Sequence, residues 1–117
     1  MCARNKSEKL EDSVISYIDA HLCERISSAT VAEALKVNPG YLNTAFKKAT
    51  GLNLMKFIHM RKTERANELL SGTDEGITRI SAELGYFDQS HFCRKYKQIM
   101  GVTPKQYREA IRAKMTD

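Results

Sequence analysis

The sequence predicts an all-α chain of seven helices, arranged as two similar units joined by a long helix. Three observations carry that expectation. Apolar residues recur at helical spacing along most of the 117 residues, with no convincing strand alternation. Asn38-Pro39 and Thr103-Pro104 each set a capping side chain before a proline at the first helical position, where a missing N–H costs nothing. Residues 38–57 and 88–107 align without a gap at an offset of 50, as a duplicated unit would.

Taken in order, Ser7 caps a first helix whose apolar positions are Leu10, Val14, Ile15, Ile18 and Leu22. Glu8, Lys9, Glu11, Asp12 and Asp19 fall between them, so this helix is assigned packing and no ligand. Ser27 and Ser28 cap a shorter second helix carrying Val31, Ala32 and Leu35. The third runs from Asn38 to Gly51, where a residue without a side chain suits a left-handed C-terminal cap. Its apolar stripe is Tyr41, Leu42, Ala45, Phe46 and Ala49; the opposite stripe is Gly40, Asn43, Thr44 and Lys47. Asn53 caps a fourth helix to about Leu70, with Leu54, Phe57, Ile58, Ala66, Leu69 and Leu70 inward and Lys56, Arg61, Lys62 and Arg65 on the other sides. Ser71-Gly72-Thr73-Asp74 then breaks the pattern with turn-forming residues. The fifth helix turns Ile77, Ile80, Ser81 and Leu84 inward and ends at Gly85; Asp88 caps the sixth, whose stripe is Phe92, Tyr96, Ile99 and Met100. The last helix buries Tyr107, Ile111 and Met115.

Composition narrows the function classes. With 42% apolar residues, two Pro and six Gly, disorder and collagen-like repeats are excluded. No apolar run approaches the roughly 18 residues of a membrane span, and MCARNKSEKL lacks a signal-peptide core, so a cytoplasmic protein is expected. Cys2, Cys23 and Cys93, odd in number and far apart, suit a reducing compartment. The net charge of +5 is distributed as +2 in each of 38–51, 54–70, 88–100 and 104–117, with −3 elsewhere, which points to a polyanion-facing side. His21 and Cys23, like His91 and Cys93, are separated by one residue, which points them roughly 200° apart around a helix, and CxxC and HExxH motifs are lacking. No metal, cofactor, small-molecule ligand or enzymatic activity is therefore expected.

Within the repeat the residue classes agree where structure demands it. Asn38 aligns with Asp88 and Asn53 with Thr103 as caps; Leu42 aligns with Phe92, Phe46 with Tyr96 and Phe57 with Tyr107 as core. The outward stripe Gly40, Asn43, Thr44, Lys47 aligns with Ser90, Cys93, Arg94, Lys97. A short helix, a Gly-containing turn and a longer helix with one cationic side, over Ile77 to Arg108, is the layout of a helix-turn-helix reader of DNA.

At these residues the chain resembles a known family. The stretch ISAELGYFDQSHFCRKYKQIMGVTPKQYR, Ile80 to Arg108, is similar to the signature of the AraC/XylS family of bacterial transcription regulators, and the likeness continues upstream through AEALKVNPGYLNTAFKKATG. The resemblance implies two homeodomain-like three-helical units, over 7–52 and 72–114, joined by a linker helix over 53–71. It implies that Gly40, Asn43, Thr44 and Lys47 in the first unit, and Gln89, Ser90, His91, Arg94 and Lys97 in the second, face successive major grooves. Arg94 can bond both acceptors of a guanine, Asn43 and Gln89 can pair with adenine edges, and Ser90 can bond at short range. Lys47, Lys48, Lys95 and Lys97 suit phosphates. His91 is equally compatible with packing, Cys93 falls on the groove-facing stripe, and Arg108 is expected to pair within the domain. Departures from the family pattern are Thr44 in place of a long Arg, the bare Gly40, Lys36 at the turn position matching Gly85, Lys62 for a frequent Arg and Ser81 for a frequent Ala.

The expected function is sequence-specific binding of double-stranded promoter DNA, with activation through contact to RNA polymerase. A helical module that recruits a partner protein is the alternative, and it would cover the stripe at Gly40 and Thr44 with a protein interface. Because many family members are longer, the DNA-binding end of a larger regulator is expected rather than a free-standing one.

Overall fold

The computed structural model describes the backbone of residues 6–115 and the side chains of residues 10–114. The side chains of Cys2, Ser7 and Met115 lie outside these described residues. Seven helices and no strand are found among them: α1 (Lys6–Ala20), α2 (Ser28–Leu35), α3 (Pro39–Thr50), α4 (Leu54–Gly72), α5 (Ile77–Glu83), α6 (Gln89–Met100) and α7 (Pro104–Met115). The described chain divides into two compact units: residues 26–58 with residues 6–22, and residues 59–115 with Cys23–Arg25.

In the first unit, Val14 and Ile18 of α1, Val31 and Ala32 of α2, Leu42 and Phe46 of α3, and Leu54 and Ile58 from the start of α4 close one apolar cluster with Ile26. Each fully buried large side chain here contributes roughly 1.5–3 kcal/mol. The helix starts follow local chemistry. Ser27 and Thr30 form a reciprocal capping box at α2, with Thr30 N–H donating to Ser27 Oγ at 3.3 Å and Ser27 N–H to Thr30 Oγ1 at 2.8 Å. Asn38 Oδ1 accepts from Tyr41 N–H at 3.1 Å, and Asn53 Oδ1 from Met55 N–H at 2.9 Å. Two expected core positions of α3 are not buried. Tyr41 is 54% exposed because it points about 100° away from Leu42 around the helix, and Ala49, on the Leu42–Phe46 stripe but in the last turn, also faces solvent.

The second unit repeats the scheme with Ala66, Leu69 and Leu70 of α4, Ile80 and Leu84 of α5, Tyr86, and Phe92 and Tyr96 of α6. Asp88 Oδ1 caps α6 by accepting from His91 N–H at 2.8 Å. Thr103 and Gln106 cap α7 reciprocally at 3.1 and 2.9 Å. Helix α4 continues to Gly72 instead of ending near Leu70. Its last carbonyls find partners: Arg108 Nε donates to Leu70 O at 3.0 Å, and Thr73 Oγ1 donates to Leu69 O at 2.7 Å. Arg108 also reaches Thr73 O at 3.1 Å, so its role is the internal pairing expected of it.

The two turns differ by one residue. Val37 N–H donates to Ala32 O in the first as Tyr86 N–H does to Ser81 O in the second, an offset of 49, whereas the recognition-type helices match at 50. The extra residue is Phe87, 73% exposed, with the Arg25 guanidinium 5.1 Å from its ring centroid. Lys36, at φ 59° and ψ 44°, is the one non-glycine with positive φ among the described residues. A side chain in that conformation costs about 1–2 kcal/mol. Lys36→Gly is therefore expected to stabilise the chain by about 1 kcal/mol after the added freedom of the unfolded state is discounted. An unchanged or lowered urea midpoint would show that this turn holds no such strain.

Candidate nucleic-acid interface

Burial of one side of α6 decides which side chains are left for a ligand. Phe92 and Tyr96 are sealed in the core, their rings 5.7 Å apart, and Tyr96 OH donates to Asn67 Oδ1 of α4 at 2.5 Å. The opposite side presents Ser90, Arg94 and Lys97 at i, i+4 and i+7, with Gln89 at the helix start, all four exposed. Among the described residues Arg94 has no hydrogen-bond or ion-pair partner, so its five donors are open to a ligand. In α3 the seal is Leu42 and Phe46, and Gly40, Asn43, Thr44, Lys47 and Lys48 are exposed.

Three neighbours are less open. His91 is half-buried, its ring edge-on to Tyr86 at 5.4 Å and to His59 at 6.2 Å. Its place is thus at the edge of the aromatic packing, with its backbone N–H on the Asp88 cap. Lys95 is half-buried. Cys93, expected on the open stripe, is instead packed against the second cluster, and that burial pushes its thiol pKa up.

Beneath α6, α4 supplies an electrostatic floor that was not expected. Lys62 was placed on the outer sides of the long helix, yet it is only 3% exposed. Its ammonium donates to Leu84 O at the end of α5 and to Glu24 O at 2.7 Å, and it lies 5.5 Å from the Tyr86 ring centroid. Main-chain carbonyls at a helix C-terminus are the negative end of the helix dipole, so they stabilise a buried cation there. Burial lowers its pKa to about 8, and it remains mainly charged at neutral pH. Strict periodicity held the clue, since position 62 sits on the stripe of Ile58, Ala66 and Leu69. His59 Nδ1 pairs with Tyr86 OH at 2.8 Å. Its pKa is drawn down to about 4, first by burial and then by the charges of Lys95, His91 and Lys62, which keeps the imidazole neutral. His59 and Lys62 together anchor the turn that leads into α6.

Gly85 joins the same floor from the other side. Its φ is +77°, and a Cβ there would fall 2.4 Å from both C and O of Glu24 and 2.8 Å from Arg25 N. Among the described residues no group of three or more His, Cys, Asp or Glu side chains is placed to hold a metal ion, and no helix is long and apolar enough to cross a membrane.

Comparison with known proteins places the fold among helix-turn-helix regulators. A family described as "Helix-turn-helix domain" matches residues 31–110. The F1 operon positive regulatory protein of Yersinia pestis is 36% identical over 101 residues, which are 83% of this chain and 33% of that protein. The chain thus spans about a third of the length of such curated relatives. The C-terminal domain of AraT, a response regulator from Geobacillus stearothermophilus, superposes with TM-score 0.85 at 31% identity, over 91% of this chain and 88% of that one. A transcriptional regulator from Chromobacterium violaceum, described as containing an AraC-type DNA-binding domain, gives TM-score 0.79 at 25% identity, over 88% and 92% of the two chains.

Proposed function

Since this chain belongs to the AraC/XylS family of helix-turn-helix transcription regulators, we propose that it binds promoter DNA in a sequence-specific manner, with α6 as the principal reader and α3 as the second. The observation that carries this reading is the exposed row Ser90, Arg94 and Lys97 on the side of α6 opposite the sealed Phe92 and Tyr96, with Gln89 exposed at the helix start. Arg94 bonds O6 and N7 of a guanine in the major groove, and Gln89 and Ser90 address neighbouring base edges. Lys97 with Lys47 and Lys48 holds phosphates, as does Lys95 from the flank of α6. His91 supports the helix start from its place in the aromatic packing. The duplicated unit supports reading of successive major grooves, one unit to each.

The protein acts in the bacterial cytoplasm as an activator that contacts RNA polymerase. The name of the positively acting Yersinia relative supports activation. A gel-shift titration at several salt concentrations tests the DNA reading. The logarithm of affinity should fall linearly with the logarithm of salt, and Lys97→Ala should reduce that slope by about 1 while weakening all duplexes alike. Salt-independent association, or a slope untouched by Lys97→Ala and Arg94→Ala, would reject it in favour of a module that recruits a protein.

A further inference from the structure

Gln89 does not stand alone at the start of α6. The hydroxyl of Thr78, in the first turn of α5, donates a hydrogen bond to Gln89 Oε1, joining the two helices of the motif across 11 residues of sequence on their exposed side. Resting on the DNA-binding reading above, we propose that Thr78 is a positioning residue that sets base preference by holding the Gln89 carboxamide, its oxygen on the Thr78 hydroxyl and its nitrogen left for the groove.

Chemistry gives the consequence a direction. A free glutamine pairs with adenine through both ends of its amide, accepting from N6 and donating to N7. In the arrangement of the structure, where Oε1 accepts from the Thr78 hydroxyl, the end of the carboxamide left for the DNA is Nε2, a pure donor. A donor suits the edge that offers two acceptors, O6 and N7 of guanine, over an adenine edge that offers one acceptor and one donor. The anchor is firm, because a β-branched side chain is restricted at χ1 and the Thr78 carbonyl is itself held by Ser81 Oγ at 2.8 Å. Fixing the otherwise flexible glutamine in advance also lowers the entropy lost on binding.

The first unit has no counterpart. By the turn hydrogen bonds, at an offset of 49, Thr78 corresponds to Ala29, and by the helix caps, at an offset of 50, Gln89 corresponds to Pro39, so neither a hydroxyl nor a carboxamide is present. This pair therefore belongs to the second reader alone.

The test is selection of bound duplexes from a random pool by the full chain, its Thr78→Val, Thr78→Ser and Gln89→Ala variants and the Thr78→Val/Gln89→Ala double variant, each checked for an unchanged melting curve. Gln89→Ala identifies the base pair that Gln89 addresses. At that pair the unaltered chain should prefer guanine. Thr78→Val should shift preference toward adenine and reduce discrimination for guanine about fivefold, the size of one net hydrogen bond, and Thr78→Ser should restore it. In the Gln89→Ala background, Thr78→Val should change nothing further. The inference is overturned if Thr78→Val leaves the preference unchanged, or if it weakens every duplex equally, which is the signature of a phosphate contact. A chain that selects no duplex at all would overturn the DNA-binding reading with it, so the two failures are distinguishable.

Discussion

Gly85→Ala is expected to destabilise the second unit by about 3 kcal/mol or more, enough to unfold a substantial share of a marginally stable domain. Two costs combine. A β-carbon at φ +77° carries the left-handed penalty of about 1–2 kcal/mol. The same atom would sit 2.4 Å from the carbonyl carbon and oxygen of Glu24, which are backbone and cannot swing aside as a side chain would. Forced overpacking of that kind adds about 1–3 kcal/mol. The displaced Glu24 carbonyl is also an acceptor for the buried Lys62 ammonium, so the strain spreads to a cation that needs that partner. Urea denaturation followed by circular dichroism measures the loss. A midpoint corresponding to less than about 1 kcal/mol of destabilisation would mean that residues 23–25 do not lie where the structure places them. The contrast with Lys36→Gly is informative, because the equivalent turn of the first unit accepts a side chain at φ 59°.

Arg94→Ala is the second large effect, this time on binding. Loss of a bidentate guanine contact of about 1–3 kcal/mol corresponds to roughly 5- to 150-fold in affinity for the preferred duplex. Duplexes already altered at that base pair should lose little more, because the contact is absent from them. The aligned position in α3 is Thr44, and Thr44→Ala should weaken binding less than threefold, the scale of a single weak contact. Base-pair substitutions under α6 should accordingly cost more than those under α3. Equal losses in the two half-sites would remove the asymmetry, and a uniform weakening of all duplexes by Arg94→Ala would reassign Arg94 to phosphate.

The helix starts were legible because capping is short-range. Ser27, Asn38, Asn53, Asp88 and Thr103 each bond a backbone N–H two or three residues away. The sealed sides of α3 and α6 were legible from apolar period alone, except at Tyr41, beside the stripe, and Ala49, in the last turn of α3, both of which face solvent. Lys62 was misplaced because a lysine reads as surface until a partner is known, although its position on the helix already pointed inward. His91 could be left only between packing and binding, since either role suits an imidazole beside a recognition stripe.

By itself, then, the sequence determined seven helices, their duplicated order, and the exposed row in which Arg94 and Lys97 stand. These follow from periodicity and capping, which are written within a few consecutive residues. Only the tertiary structure decided that Lys62 is buried against two carbonyls, that Arg108 closes α4, that Gly85 touches the Glu24 backbone and that Thr78 holds Gln89. The hydrogen bonds among these join residues 11 to 39 positions apart. No local pattern specifies such partners; packing of the helices does, by bringing each donor within reach of its acceptors.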